Sequence, residues 1–279
     1  MFSQLVSDIV SLLQQYGHMY AAGMVNTVIL ALVATFIGCV IGFICGMLQT
    51  IPYSSTDPLA RRVLLKALRI LIRIYVEVFR GTPMILQAVF IFYGLPYFTN
   101  NTVQFSGMWS VAIFVVSINT GAYMAESVRG GIMSVDPGQA EGATAIGMSH
   151  VQAMRYVILP QAFRNLLPQI GNNLIINIKD TSVMFIIGFT EFFSVHRMVS
   201  GAIFKYFPSA TIEMIGYLTL TLLASYALRV VERKLDGHSD YELVNTDQLV
   251  LTAGTYTYPE QGSPFEPRKS RQHSKNPSA

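Results

Sequence analysis

A chain of 279 residues that is 52% hydrophobic and only 13% charged, with a mean hydropathy of +0.43, carries too few charges for an ordinary soluble domain and reads as an integral membrane protein. Its net charge of +3 and pI near 8.8 come from basic residues beside apolar runs, a pattern of membrane orientation that excludes nucleic acid as the partner.

Residues 1–22 lack the basic n-region of a cleaved signal peptide, so they are expected to remain in the mature protein. Leu5, Val6, Ile9, Leu12, Leu13 and Tyr16 recur at helical spacing, which predicts an amphipathic helix lying at the outer surface. A membrane domain follows over residues 23–236. Five spans are predicted at residues 24–48, 83–98, 107–127, 182–204 and 209–230. Residues 81–125 contain no Asp, Glu, Lys or Arg, enough for two spans of roughly 20 residues with a turn between them. In the first span Cys39 and Cys45 are about 9 Å apart along the helix, too far for a disulfide. Gly38, Gly42 and Gly46 form a stripe that lets another helix approach closely.

The connections differ in basic content. The first carries Arg61, Arg62, Lys66, Arg69, Arg73 and Arg80, residues 99–106 carry none, and the third carries Arg129, Arg155, Arg164 and Lys179. Lys205 stands alone in the fourth, and Arg229, Arg233 and Lys234 follow the last span. The positive-inside rule then places the N-terminus outside, the first and third connections in the cytoplasm and the C-terminus inside.

The third connection has its own helical pattern. Asp136 precedes Pro137, a residue preferred at the first helical position, with Gln139 where a capping-box partner would sit. Gly147 is the expected stop. Ser149 and Gln152 repeat the start signal, Val151, Met154 and Ile158 line one face, and Pro160 is expected to break the second helix after Leu159. Two short cytoplasmic helices with so weak an apolar face need a partner, which is either the chain's own membrane domain or a second protein.

Ionisable groups inside a bilayer are costly and face the protein interior or a water-filled cavity. Glu191, about nine residues into the fourth span and hence near mid-depth, is therefore a candidate for the ligand path, with Thr190 and Ser194 beside it. Asn119, Thr120 and Tyr123 form a stripe on the third span, and Gln87 lies in the second, so these polar groups are further candidates. Helix packing is the competing role for each of them. Residues 237–279 are polar, with Pro259, Pro264, Pro267 and Pro277 and a basic end, and read as a disordered cytoplasmic tail. His18, His150, His196, His238 and His273 are scattered, which gives no metal or acid–base constellation and argues against a membrane enzyme. An ion-coupled secondary amino-acid transporter is the alternative reading, but no clear internal repeat supports it.

"GQAEGATAIG" followed by "VILPQAF" resembles the EAA loop of ATP-binding cassette importer permeases, with Glu141, Ala143, Gly147, Ile158, Leu159 and Pro160 matching and Gly142 replacing the middle alanine. "YVEVFRGTPMILQAVFIFYGLP", "GAYMAESVRGGIMSVDPGQ" and "IKDTSVMFIIGFTE" are similar to the permeases for polar amino acids, the histidine, glutamate, glutamine, arginine and opine family. The resemblance implies an all-α type I importer permease with five transmembrane helices. It also implies a coupling loop at about residues 136–163, in which Gln139, Ala140, Glu141, Gly142, Ala143, Ala145, Gly147 and Pro160 meet an ATPase. The chain has no G-x-x-x-x-G-K-[ST] phosphate loop, so the expectation is a non-enzymatic translocation subunit that binds no cofactor, with ATP and Mg on an ATPase dimer. The other implied partners are a second permease subunit, identical or related, an extracellular or periplasmic amino-acid-binding protein and the lipid bilayer. The implied location is the bacterial inner membrane.

Overall fold

The computed structural model describes residues 2–55 and 57–236, so the expected tail at 237–279 lies outside the described residues. The elements are helices: α1 (Phe2–Thr50), α2 (Leu59–Gly81), α3 (Met84–Val89), α4 (Leu95–Phe98), α5 (Met108–Met133), α6 (Pro137–Ala145), α7 (His150–Ala153), α8 (Leu159–Asp180), α9 (Phe192–Ile203) and α10 (Tyr206–Asp236). Phe2–Thr50, Met108–Met133 and Tyr206–Lys234 are each long and apolar enough to cross a membrane, and the number rises to five if each of two bent helix pairs counts as one span.

The N-terminal segment is helical as expected but is not a separate surface helix. It runs unbroken into the first span, because no proline interrupts the backbone ladder before Pro52. The glycine stripe of α1 closes onto α5 of the same chain. A Cβ on Gly38 would lie 2.6 Å from Thr120 Cβ, on Gly42 2.3 Å from Met124 Cβ, and on Gly46 2.6 Å from Val128 Cβ. Around this contact Leu30, Ala34, Val111, Val115 and Val116 form a core that also takes in Met184, Ile187 and Phe189.

Two breaks shape the interior. Pro83 offers no backbone N–H and forces Thr82 to an extended conformation (φ −121°, ψ 146°), so the helices Leu59–Gly81 and Met84–Phe98 meet at 110°. Gly188 adopts φ +84°, a left-handed position open to glycine, and ends the 3₁₀ segment Thr181–Ile187 before α9 begins. The second bend is 52°.

The helical run that leads into residues 182–204 begins earlier than the predicted span. From His150 a capped turn passes through a π-helical segment, Met154–Ile158, directly into α8. The expected break at Pro160 does not occur. Pro160 sits in the first turn of α8, where a missing N–H is least costly, and the π turn absorbs the change of ladder. Hydropathy hides α8 because Asn165, Gln169, Asn172, Asn173 and Asn177 interrupt its apolar residues.

Candidate functional site

The stretch 136–163 has two distinct sides. Asp136 caps α6 by accepting from the Gly138 N–H at 2.8 Å, while Gln139 accepts instead from Gln161 Nε2 at 3.3 Å and forms no capping box. The second box is present, with Ser149 N–H donating to Gln152 Oε1 and Gln152 N–H to Ser149 Oγ. α6 ends in a Schellman motif: Met148 N–H donates to Ala143 O (3.1 Å), Gly147 N–H donates to Thr144 O (2.9 Å), and Gly147 has φ +83°. Ala143 is buried, and Ala140 packs on the cluster of Met124, Val128, Ile132, Ile158, Ala162 and Leu166. Glu141, Gly142 and Ala145 face outward, beside Ile146, Val151 and Tyr156, which are 75%, 72% and 63% exposed. Pro160 is exposed. A Cβ on Gly142 would meet nothing within 4 Å, so alanine fits there and favours the helix by up to about 1 kcal/mol.

The membrane candidates separate into three groups. Glu191 is fully buried and is the N-cap of α9. Its carboxylate accepts from Ser194 N–H (2.7 Å), Phe193 N–H (2.9 Å), Tyr217 O–H (2.8 Å), Ser194 O–H (3.0 Å) and Thr27 O–H (3.4 Å). These donors satisfy the charge in place, and the carboxylate pins α9 to α1 and α10. Ser194 belongs to the same cap, its single hydroxyl proton shared between Glu191 Oε1 and the nearer Phe189 O at 2.6 Å.

Gln87 braces the first break. Its Nε2 lies 2.9 Å from Phe79 O, Thr82 O and Thr82 Oγ1 and shares its two protons among them, which serves the Phe79 carbonyl in the last turn of α2 and the Thr82 carbonyl just after it. Asn119 joins it from α5, with Nδ2 donating to Phe79 O and to Gln87 Oε1, both at 3.0 Å.

Asn119, Thr120 and Tyr123 come together at a cavity of about 460 Å³ beside this break, with Arg80, Asn173, Asn177 and Asp180 in its wall. Asn177 Nδ2 donates to Thr35 Oγ1 (2.7 Å) and Thr120 Oγ1 (2.9 Å), which fixes the back wall. Asp180 has no ion-pair partner among the described residues, and Arg80 pairs with Glu126 while its guanidinium lies 5.2 Å from the Tyr123 ring centroid. One cationic head, one carboxylate and several amides around a pocket of this size suit a small zwitterion. Sequence reasoning missed Arg80, Asn173, Asn177 and Asp180. The available signals were an arginine just before Thr82–Pro83 and the amide-rich run ending at Asp180.

A family profile described as "Binding-protein-dependent transport system inner membrane component" matches residues 58–237. A glutamine transport system permease protein of Escherichia coli (strain K12) is 37% identical over 162 residues, 58% of this chain and 73% of the relative. An arginine transport system permease protein of Bacillus subtilis (strain 168) is 34% identical over 164 residues, 59% and 74% respectively. Among solved structures, an amino acid ABC transporter crystallised with histidines superposes with a TM-score of 0.70 at 32% identity, covering 81% of this chain and 98% of that one. An inward-facing methionine ABC transporter matches in fold, with a TM-score of 0.63 at 19% identity over 79% and 97%.

Proposed function

The chain belongs to the family of inner membrane components of binding-protein-dependent transport systems, and on that premise we propose that the cavity beside Arg80 and Asp180 holds a polar amino acid during import. It is an integral membrane translocation subunit of the ABC importer class; ATP hydrolysis belongs to a separate subunit, and a binding protein is part of such systems. The observation that carries the substrate reading is that Arg80 and Asp180, not paired with one another, share the wall of one cavity at a helix break. Arg80 suits the α-carboxylate, and Asp180 suits the α-ammonium. Discontinuous helices are where transporters place midplane sites. The relatives' substrates, glutamine and arginine, support a polar amino acid of the glutamine, glutamate or basic class.

Equilibrium binding of radiolabelled glutamine, glutamate and arginine to the purified complex tests this reading. Asp180→Asn is expected to weaken binding of the preferred amino acid about tenfold or more, because Asn still offers an acceptor oxygen but no longer the negative charge that meets the ammonium. Unchanged affinity would reject the site.

The wider arrangement is part of the same proposal. Five spans cross a bacterial inner membrane with the N-terminus outside, supported by the basic residues of the first and third connections. Met214, Leu218, Leu222 and Tyr226 form an exposed apolar row on α10 that suits lipid. Residues 23–236 act as the permease domain, with residues 1–22 extending its first helix, and α6 with its outward face docks on an ATPase dimer that holds ATP and Mg. A second permease half, identical or related, completes the path, and the halves rock about their interface. Cysteines placed at Asn101 and Ser149 are expected to label from outside and only after permeabilisation, respectively; the reverse pattern would invert the topology.

A further inference from the structure

A second cavity, of about 500 Å³, meets the first at Arg80, and its wall carries Arg69, Arg73, Glu77, Glu126 and Arg129. Glu126 lies on α5 about one turn beyond Tyr123 and two beyond Asn119, so one helix face leads from the upper cavity to this lower one. At the junction Arg80 is ion-paired with Glu126 while stacking over Tyr123. The side chains of the pair are 40% and 42% exposed, so a solute reaches their flanks, while the Glu126 Oε2 that meets Arg80 is covered and must move for a second carboxylate to take its place. Arg69, Arg73 and Arg129 have no carboxylate partner among the described residues.

Resting on the reading of the upper cavity as an amino-acid site, we infer that Glu126 is a built-in competitor for Arg80, displaced by the substrate's α-carboxylate on binding and returning to Arg80 to drive that carboxylate into the arginine-rich lower cavity. A guanidinium binds one carboxylate well in a bidentate fork, so two carboxylates at Arg80 exclude one another. When Glu126 returns, the displaced carboxylate meets the unpaired guanidiniums of Arg73 and Arg129 rather than bare hydrocarbon. Glu126 is thus a positioning residue that limits affinity and promotes release.

The test uses the purified complex and two probes: whichever of glutamine, glutamate or arginine the wild type binds most tightly, and the α-amide of that amino acid, which lacks the carboxylate charge. Glu126→Gln is expected to bind the acid about threefold to fivefold more tightly, as removal of an exposed ion pair predicts, and the amide no differently. Transport turnover should fall in the same variant. Glu126→Asp, which keeps the charge but shortens the reach to Arg80, should give a smaller gain and serves if the glutamine variant does not assemble. Equal or weaker binding of the acid, or the same gain for the amide, would overturn the competition. Absence of amino-acid binding in the wild type would overturn the reading of the cavity itself, whereas wild-type binding that Asp180→Asn weakens and Glu126→Gln leaves unchanged would overturn the competition alone.

Discussion

Gly42→Val is expected to remove most of the folded protein from the membrane. A Cβ at this position would lie 2.3 Å from Met124 Cβ and 2.8 Å from the backbone nitrogen of Ala125, and no side-chain rotation relieves a clash with backbone. α1 and α5 must then separate, and the packing between Ala34, Val115 and Val116 beside the glycine stripe loosens with them. Overpacking of a dense core costs about 1–3 kcal/mol where side chains can shift, and a backbone clash belongs at or above the upper end of that range. Helix association in a bilayer rests on close packing, and the Asn177 bridge between Thr35 on α1 and Thr120 on α5 depends on the same approach. The check is membrane abundance and the thermal unfolding midpoint, with Gly17→Ala as the comparison because a Cβ there meets nothing within 4 Å. Wild-type abundance of Gly42→Val would contradict the packing account.

Gly147→Val should act on function and leave the spans alone. A valine at φ +83° is strained by about 1–3 kcal/mol, and the Schellman bonds of Met148 and Gly147 are lost if the chain relaxes. No atom lies within 4 Å of a Cβ there, so the damage stays at the end of α6 and does not propagate as a packing defect. If α6 docks on the ATPase as proposed, uptake is expected to fall about tenfold or more with abundance near wild type, since a misplacement of even an ångström breaks such a contact. Normal uptake would remove α6 from the coupling role. Gly142→Ala is the contrasting change, with uptake retained.

Local chemistry was the most legible part of the chain. The Ser149–Gln152 box and the stop at Gly147 depend on neighbours a few residues away, and both form as their residue types require. The glycine stripe was also legible, because its spacing alone defines a groove. Pro160 misled because a π turn can absorb a proline that an ideal α ladder cannot. Glu191 was legible as either a path residue or a packing residue, and the five donors from three elements that make it a helix cap are invisible in sequence. Arg80 and Asp180 were hidden by the span boundaries themselves. Charges mark the ends of hydropathy windows, so Arg80 was counted with a cytoplasmic connection although the break at Pro83 carries it to the cavity wall.

The most direct test of translocation is uptake by proteoliposomes containing this chain with its ATPase subunit, a second permease half and the binding protein. ATP-dependent accumulation of a radiolabelled polar amino acid is predicted, reduced about tenfold or more by Asp180→Asn at equal protein content. Accumulation that proceeds without ATP on an imposed ion gradient, or no accumulation of any polar amino acid by the fully assembled complex, would contradict it.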